Sequence, residues 1–323
     1  MSLASYRKMR RFRGFVLLLV GAVATLPPTS ARADDLPAPP TTKAIPSPAD
    51  HDDSKVPPLY WDWPQFSTAN YVVTGAAGAI TLAAAIMKPQ ARHAMGGVLF
   101  DDTIRNTLRL SDSSARYIAR DASDVGLSLV VTWPVFVDSL VTAWWYRGSR
   151  EVAQEMALID LETLAITGAV QGATNVFVSR ERPYGGDCSN GNAPTPGKIP
   201  EQTVDCDGTT RYRSFFSGHS SFAFASAALV CVHHFQHDLL GAPYDAISCA
   251  AGYAVAATTS TLRVAGDVHY ATDVLTGALL GTAIGWGVPL LHYRNRALGA
   301  VKVGDVRLQL VPSLGGAGVA GTF

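Results

Sequence analysis

An excess of charge of either sign is missing from this chain: across 323 residues, 26 Lys+Arg balance 26 Asp+Glu. Without a basic surplus nothing suggests a nucleic-acid partner. Charge is sparse altogether, 16% of residues against 48% hydrophobic, which fits a helical protein at or near a membrane. No internal repeat is visible. A metal-ligand set is missing as well. His233, His234 and His237 have the spacing of a helical metal pair, but no carboxylate or cysteine completes it, and they read as a solvated helix end.

The N-terminal apolar run is short. Phe15 to Leu26 is twelve residues, below the ~20 that a membrane-spanning helix needs. Arg7, Lys8, Arg10, Arg11 and Arg13 precede it, and Ala31-Arg32-Ala33 offers small residues for cleavage. Residues 1–33 are therefore expected to be a secretory signal and the mature chain to be exported and periplasmic. Residues 34–66, rich in proline and aspartate, read as an extended linker. Tyr60, Trp61, Trp63 and Phe66 should mark where that linker meets the folded body. Residues 67–296 form the main domain. Residues 297–323 alternate Val306, Leu308 and Leu310 with Asp305, Arg307 and Gln309 ahead of Gly315-Gly316, the pattern of a small β-hairpin.

The body is expected to be all-α, a bundle of about six main helices. They are placed near 69–87, 125–146, 152–178, from 218 onward, 246–262 and 269–291, with shorter amphipathic helices between 97 and 124. The loop from Tyr184 to Ser214 is rich in Gly, Asn, Pro and Thr and should lie over the site. Cys188 and Cys206 sit in it and are expected to pair in an oxidising compartment, which in the chain-entropy view stabilises by roughly 3 kcal/mol. Cys231 and Cys249 fall within helices and read as small core residues. Asp138, Glu155, Asp160 and Glu162 lie in the second and third helices, and each could cost ~2.5–3.5 kcal/mol near a bilayer centre. Six crossings would also leave the motif ends cytoplasmic, at odds with an export signal. The favoured expectation is a periplasmic bundle whose helices are core rather than spans, with membrane association left open.

Three short motifs carry the chemistry. They are Arg182-Pro183, then Phe216-Ser-Gly-His219, then Leu262-Arg-Val-Ala-Gly-Asp-Val-His-Tyr-Ala-Thr-Asp273. His269 and Asp273 are four apart, so on a helix starting near His269 they share a face. The carboxylate could then fix the imidazole tautomer and leave the other ring nitrogen free to attack phosphorus. A second imidazole, His219, could protonate the departing alkoxide and later activate water. Arg182 and Arg263 suit non-bridging phosphate oxygens, because a planar guanidinium matches phosphate bidentately. Ser217 is a candidate N-cap of a helix whose first N–H groups make an anion seat, and Gly218 allows close backbone approach.

In order and spacing, these motifs resemble the type 2 phosphatidic acid phosphatase (PAP2) superfamily, which also contains bacterial acid phosphatases and vanadium haloperoxidases. The family pattern is Lys-x6-Arg-Pro, Pro-Ser-Gly-His and Ser-Arg-x5-His-x3-Asp, and the likeness covers roughly Ala69 to Tyr293. It implies a helical fold that brings the three motifs to one end of the bundle. It implies His269 as nucleophile, His219 as acid/base, Asp273 as orienting carboxylate, and Arg182, Arg263, Ser217 and Gly218 as phosphate ligands. Three positions depart from the pattern: Asn175 stands where the family lysine falls, Phe216 replaces the proline, and Leu262 replaces the serine. Asn175 can donate a hydrogen bond but brings no charge, which should weaken transition-state stabilisation. Arg180, Arg211 and Arg213 are candidates to compensate, with Arg180 favoured for its place two residues from Arg182.

The implied activity is metal-free hydrolysis of a phosphomonoester or pyrophosphate, soluble or lipid-borne, through a phosphohistidine and without a cofactor. Two other readings stand beside it: vanadate-dependent halide oxidation, with vanadate as the cofactor, and a non-catalytic phosphate-binding relative. The expected partner is a phosphorylated small molecule or a lipid phosphate.

Overall fold

The structure, a computed structural model, describes residues 57–89, 96–185, 209–294, 300–303, 306–313 and 316–322. The expected signal at 1–33, most of the linker, and Cys188 and Cys206 lie outside the described residues. Helices α1 (Thr68–Ile86), α2 (Asp101–Leu108), α3 (Ser113–Thr132) and α4 (Arg150–Val178) come first. Helices α5 (Gly218–His237), α6 (Tyr244–Ala265) and α7 (Ala271–His292) follow. The body is helical, as expected.

Two boundaries differ from the sequence reading. The second long helix begins at Ser113 rather than Val125, because Asp112 caps it by accepting a bond from the Ala115 N–H at 2.9 Å. It then continues as a wider π-type helix over Trp133–Tyr146, with Pro134 in its first turn. The ring of Pro134 has no N–H to donate to the preceding turn, so regular α-helical bonding cannot pass through it unchanged. The last helix begins at Ala271 rather than His269, because the Asp273 carboxylate accepts the Tyr270 N–H at 2.9 Å and closes the helix start there. Beyond α7, strands β1 (Ala300–Val303), β2 (Val306–Ser313) and β3 (Gly316–Thr322) pair antiparallel in sequence order. The expected hairpin is thus a three-stranded meander.

Helix α5 is the centre of the bundle, packed against α7, α6, α4 and α3. Its small residues, among them Ala223, Ala225, Ala227 and Ala228, are fully buried, as are Leu229, Val230 and Val232. Helix α7 lies closest. A Cβ at Gly277, Gly281 or Gly285 would overlap the carbonyls of Ser217, Ser221 and Ala225 respectively. This four-residue glycine spacing lets the two backbones touch, so the starts of α5 and α7 are held side by side. On the other flank, Cys231 of α5 is bonded to Cys249 of α6, with Cα atoms 4.4 Å apart. The expectation of two separate core cysteines is corrected here. Each points from its helix into the same contact, a geometry that sequence spacing does not reveal.

Three helices are long and apolar enough to cross a membrane: Thr68–Ile86, Ser113–Tyr146 and Ala271–His292. Their most apolar stretches are only 11%, 28% and 22% buried within the protein. Val72, Ile80 and Ile86, then Leu129, Val137 and Trp145, then Leu275, Leu279 and Leu291 all face outward. Such a surface is apolar on the outside, where water would be costly and lipid is not. The expectation that the helices serve as core does not hold for these three outward faces, and the protein is membrane-associated.

The acidic residues that argued against spans all point inward. Asp138 accepts from Trp133 Nε1 at 3.0 Å, Asp160 meets His233 at 2.8 Å, and Glu162 meets His292 at 2.5 Å. Glu155 accepts the Phe66 N–H at 2.8 Å. Paired and buried in protein, these carboxylates do not meet the hydrocarbon. Of the linker's aromatic end, Trp61 and Trp63 pack edge-on or tilted against Tyr293 and His237, and Phe66 joins the core, while Tyr60 stays exposed.

Candidate functional site

Local backbone turns bring the motifs together. Helix α4 ends at Ser179 in the left-handed conformation, φ 49°, which swings the chain into the Arg180–Arg182 segment. There the Arg182 N–H donates to the Arg211 carbonyl at 2.8 Å and the Ser214 N–H to the Arg180 carbonyl at 3.0 Å. The loop's two arms are thereby pinned at its base. Ser217 caps α5, accepting from the Ser220 N–H at 3.3 Å, while its own N–H donates to the Asp273 carbonyl at 3.1 Å. Past the end of α6, Asp267 adopts φ 60°, and its buried carboxylate is gripped by Arg105 at 2.6 Å and Arg109 at 2.8 Å. This tight turn folds the His269 N–H back onto the Arg263 carbonyl at 3.3 Å.

The result is one pocket of about 220 Å3, open to solvent. Arg182, Arg263, Gly218, His219 and His269 line it, joined by Asn175 and Gln171 of α4 and by Arg213. The structure therefore gathers five of the expected site residues and Asn175 around a single pocket. Ser217 and Asp273 stand behind it, fully buried.

His269 is oriented differently from the spacing argument. Its Nδ1 donates to the Ser214 carbonyl at 2.8 Å, and the nearest Asp273 oxygen is 3.7 Å away. The Asp273 carboxylate is occupied by Ser214 Oγ at 2.6 Å, Arg180 Nη1 at 2.6 Å and the Tyr270 N–H. Ser214 thus links the two, its side chain held by Asp273 and its carbonyl holding the imidazole. The tautomer is still fixed with the proton on Nδ1, leaving Nε2 for the pocket. Burial, reinforced by Arg182 and Arg263 against the pull of Asp273, holds the His269 pKa down at about 3. The ring is neutral at physiological pH, the state a nucleophile needs.

Arg180 does not compensate for the missing lysine. It is buried between Asp101 and Asp273, 2.6 Å from each, with its guanidinium over the Tyr270 ring. Buried between two carboxylates, it is consumed in positioning α7. Arg213 reaches the pocket instead, while its Nη2 donates to the Ala84 and Met87 carbonyls at the end of α1. Asn175 donates to the Phe216 carbonyl at 3.1 Å, and its buried Oδ1 has no hydrogen-bond partner among the described residues.

Burial and the neighbouring Arg182 push Arg263 down to about 9, and burial lowers Arg213 as well. Guanidiniums crowded in this way favour an anion between them. His219 is likewise lowered, first by burial and then by Arg263 and Arg182, with Asp124 opposing. Asp124 of α3 lies 2.7 Å from His219 Nε2. Sequence reading missed Asp124, Ser214 and Gln171. The loop and helix positions they occupy carry no spacing signal relative to the motifs.

Residues 157–297 match the profile of the PAP2 superfamily. Over 152 residues the chain is 27% identical to a lipid A 1-phosphatase from Porphyromonas gingivalis, an alignment that covers 47% of this chain. The chain spans only 27% of that relative's length. A crystal structure of a transmembrane PAP2-type phosphatidylglycerolphosphate phosphatase from Bacillus subtilis is similar at TM-score 0.40 and 17% identity. It covers 69% of this chain and 92% of its own. Among the described residues no group of three or more His, Cys, Asp or Glu side chains is arranged to hold a metal ion.

Proposed function

We propose that this protein is a membrane-associated phosphatase that hydrolyses a lipid phosphate ester through a phosphohistidine. The observation that carries the reading is His269, held by Nδ1 in a pocket shared with His219, Arg182 and Arg263. Nε2 of His269 attacks phosphorus, the ester P–O bond breaks, and His219 gives its proton to the departing oxygen. Water then attacks the phosphohistidine, His219 takes the proton, and the P–N bond breaks to release phosphate. Arg182 and Arg263 hold the non-bridging oxygens, with Gly218 at the start of α5 admitting them to the backbone N–H groups.

These chain groups supply the charge stabilisation, so the reaction as proposed calls for no cofactor. The lipid class is supported by the outward apolar helices and by the lipid A 1-phosphatase likeness. An exported site is supported by the secretory pattern of residues 1–33 and by the paired Cys231 and Cys249, which suit an oxidising compartment.

The test is phosphate release from a phospholipid in mixed micelles and from an aryl phosphate. His269→Ala is expected to lower turnover by at least about 1,000-fold with an unchanged melting temperature. Full activity in that folded variant rejects the assignment of nucleophile. A second reading is favoured by Asn175, which leaves the pocket without the family lysine: binding of phosphate without turnover. Saturable phosphate binding with no release from either substrate establishes it. Bromide oxidation by peroxide on adding vanadate, with no phosphate release, instead establishes a haloperoxidase.

A further inference from the structure

Asp124 sits on α3, and none of the three motifs includes it. Its Oδ1 is nonetheless 2.7 Å from His219 Nε2 and 3.1 Å from Arg263 Nη1. One carboxylate oxygen therefore joins the side chain that moves the proton to a side chain that holds the phosphate. Resting on the phosphohistidine reading above, we infer that Asp124 is the positioning residue for His219, accepting its Nε2–H so that the other ring N–H is aimed at the departing oxygen.

The first step requires His219 to be charged, since it must give a proton away. Its surroundings oppose that charge. Arg263 from α6 and Arg182 from the segment after α4 act on the ring, and Arg213 and His269 line the same pocket. Burial adds to the penalty. Asp124, reaching over from α3, is the anion that favours the imidazolium. The same contact fixes the ring's rotation, as the carboxylate partner does for histidines generally. In the second step His219 must accept a proton from water, and the carboxylate again stabilises the charged ring that forms. Asp124 gains and loses no bond in either step.

A structural role and a proton-positioning role are separated by the leaving group. A nitrophenolate departs without protonation, whereas the alkoxide of a phospholipid needs a proton. Asp124→Asn in the full chain should therefore lower kcat on a phosphatidate in mixed micelles by on the order of 100-fold. On 4-nitrophenyl phosphate the loss should be severalfold. The alkaline limb of kcat for the phosphatidate should move to lower pH, because the imidazolium loses its counter-charge. Asp124→Glu should restore part of the phosphatidate activity.

Equal losses on both substrates with an unmoved limb would show that Asp124 only shapes the site, and undiminished phosphatidate turnover would show that it is a surface charge. Retained aryl activity in Asp124→Asn certifies the fold. His269→Ala assayed in parallel isolates the claim: if that variant stays active, the phosphohistidine reading fails; if it is dead, the outcome with Asp124→Asn stands by itself.

Discussion

Helix α5 carries His219 at its start and His233, His234 and His237 near its end, and the two ends treat the same side chain differently. At the start, His219 faces a solvent-open pocket beside His269. Fourteen residues on, about 21 Å along the helix, His233 and His234 are sealed in the bundle. His233 spends Nε2 on Asp160 at 2.8 Å and Nδ1 on the Tyr293 hydroxyl at 2.6 Å. His234 spends Nδ1 on Asp245 at 2.6 Å and Nε2 on Asp138 at 3.3 Å. His237 meets Tyr293 at 3.2 Å under Trp61 and Trp63. The expected solvated helix end is instead a buried polar network, because the docked aromatic segment and the end of α7 cover it. His233 and His234, with both nitrogens engaged, hold the fold together; His269, with one nitrogen engaged at the edge of the pocket, has the other left for chemistry.

That contrast can be broken by variants that should fail in opposite ways. Where His269→Ala removes turnover and spares stability, His233→Leu should do the reverse. It strands Asp160 as an uncompensated buried charge, which costs about 3–5 kcal/mol. Thermal or denaturant unfolding in detergent should show this loss, while the folded fraction keeps its kcat on an aryl phosphate. A loss of kcat without a loss of stability would mean the far network feeds the site.

Replacing Cys231 and Cys249 by serine together lies between the two ends. It should cost about 3 kcal/mol, the scale for a loop of this size, and leave the pocket's kinetics unchanged. A comparable stability for the two forms under oxidising conditions would show that the bond contributes nothing. The smallest effect is expected from Asn175→Lys, which restores the family charge beside Arg182 and Arg263. It should raise kcat/KM by up to about tenfold through stronger oxyanion stabilisation. An unchanged value would show that Arg213 already supplies what the lysine would.

Much of the site was legible because its chemistry is written in short spacings. Arg182-Pro183, Ser217-Gly218-His219 and Arg263 with His269 are local patterns, and local patterns survive without coordinates. Asp124, Ser214 and Arg180 were not legible in the roles they hold. Asp124 meets a residue 95 positions away, Ser214 works through its carbonyl, and Arg180 is drawn off by two carboxylates. Each is a pairing across the bundle, set by how helices pack.

The amino-acid order by itself determined the helical class, the balanced charge and the three motifs. Folding in three dimensions decided the rest: which histidines are sealed and which stay open, that Cys231 meets Cys249, and that apolar faces look outward. The reason is that periodicity and motif are properties of neighbours along the chain, whereas burial and partnership depend on what distant helices bring to the same place.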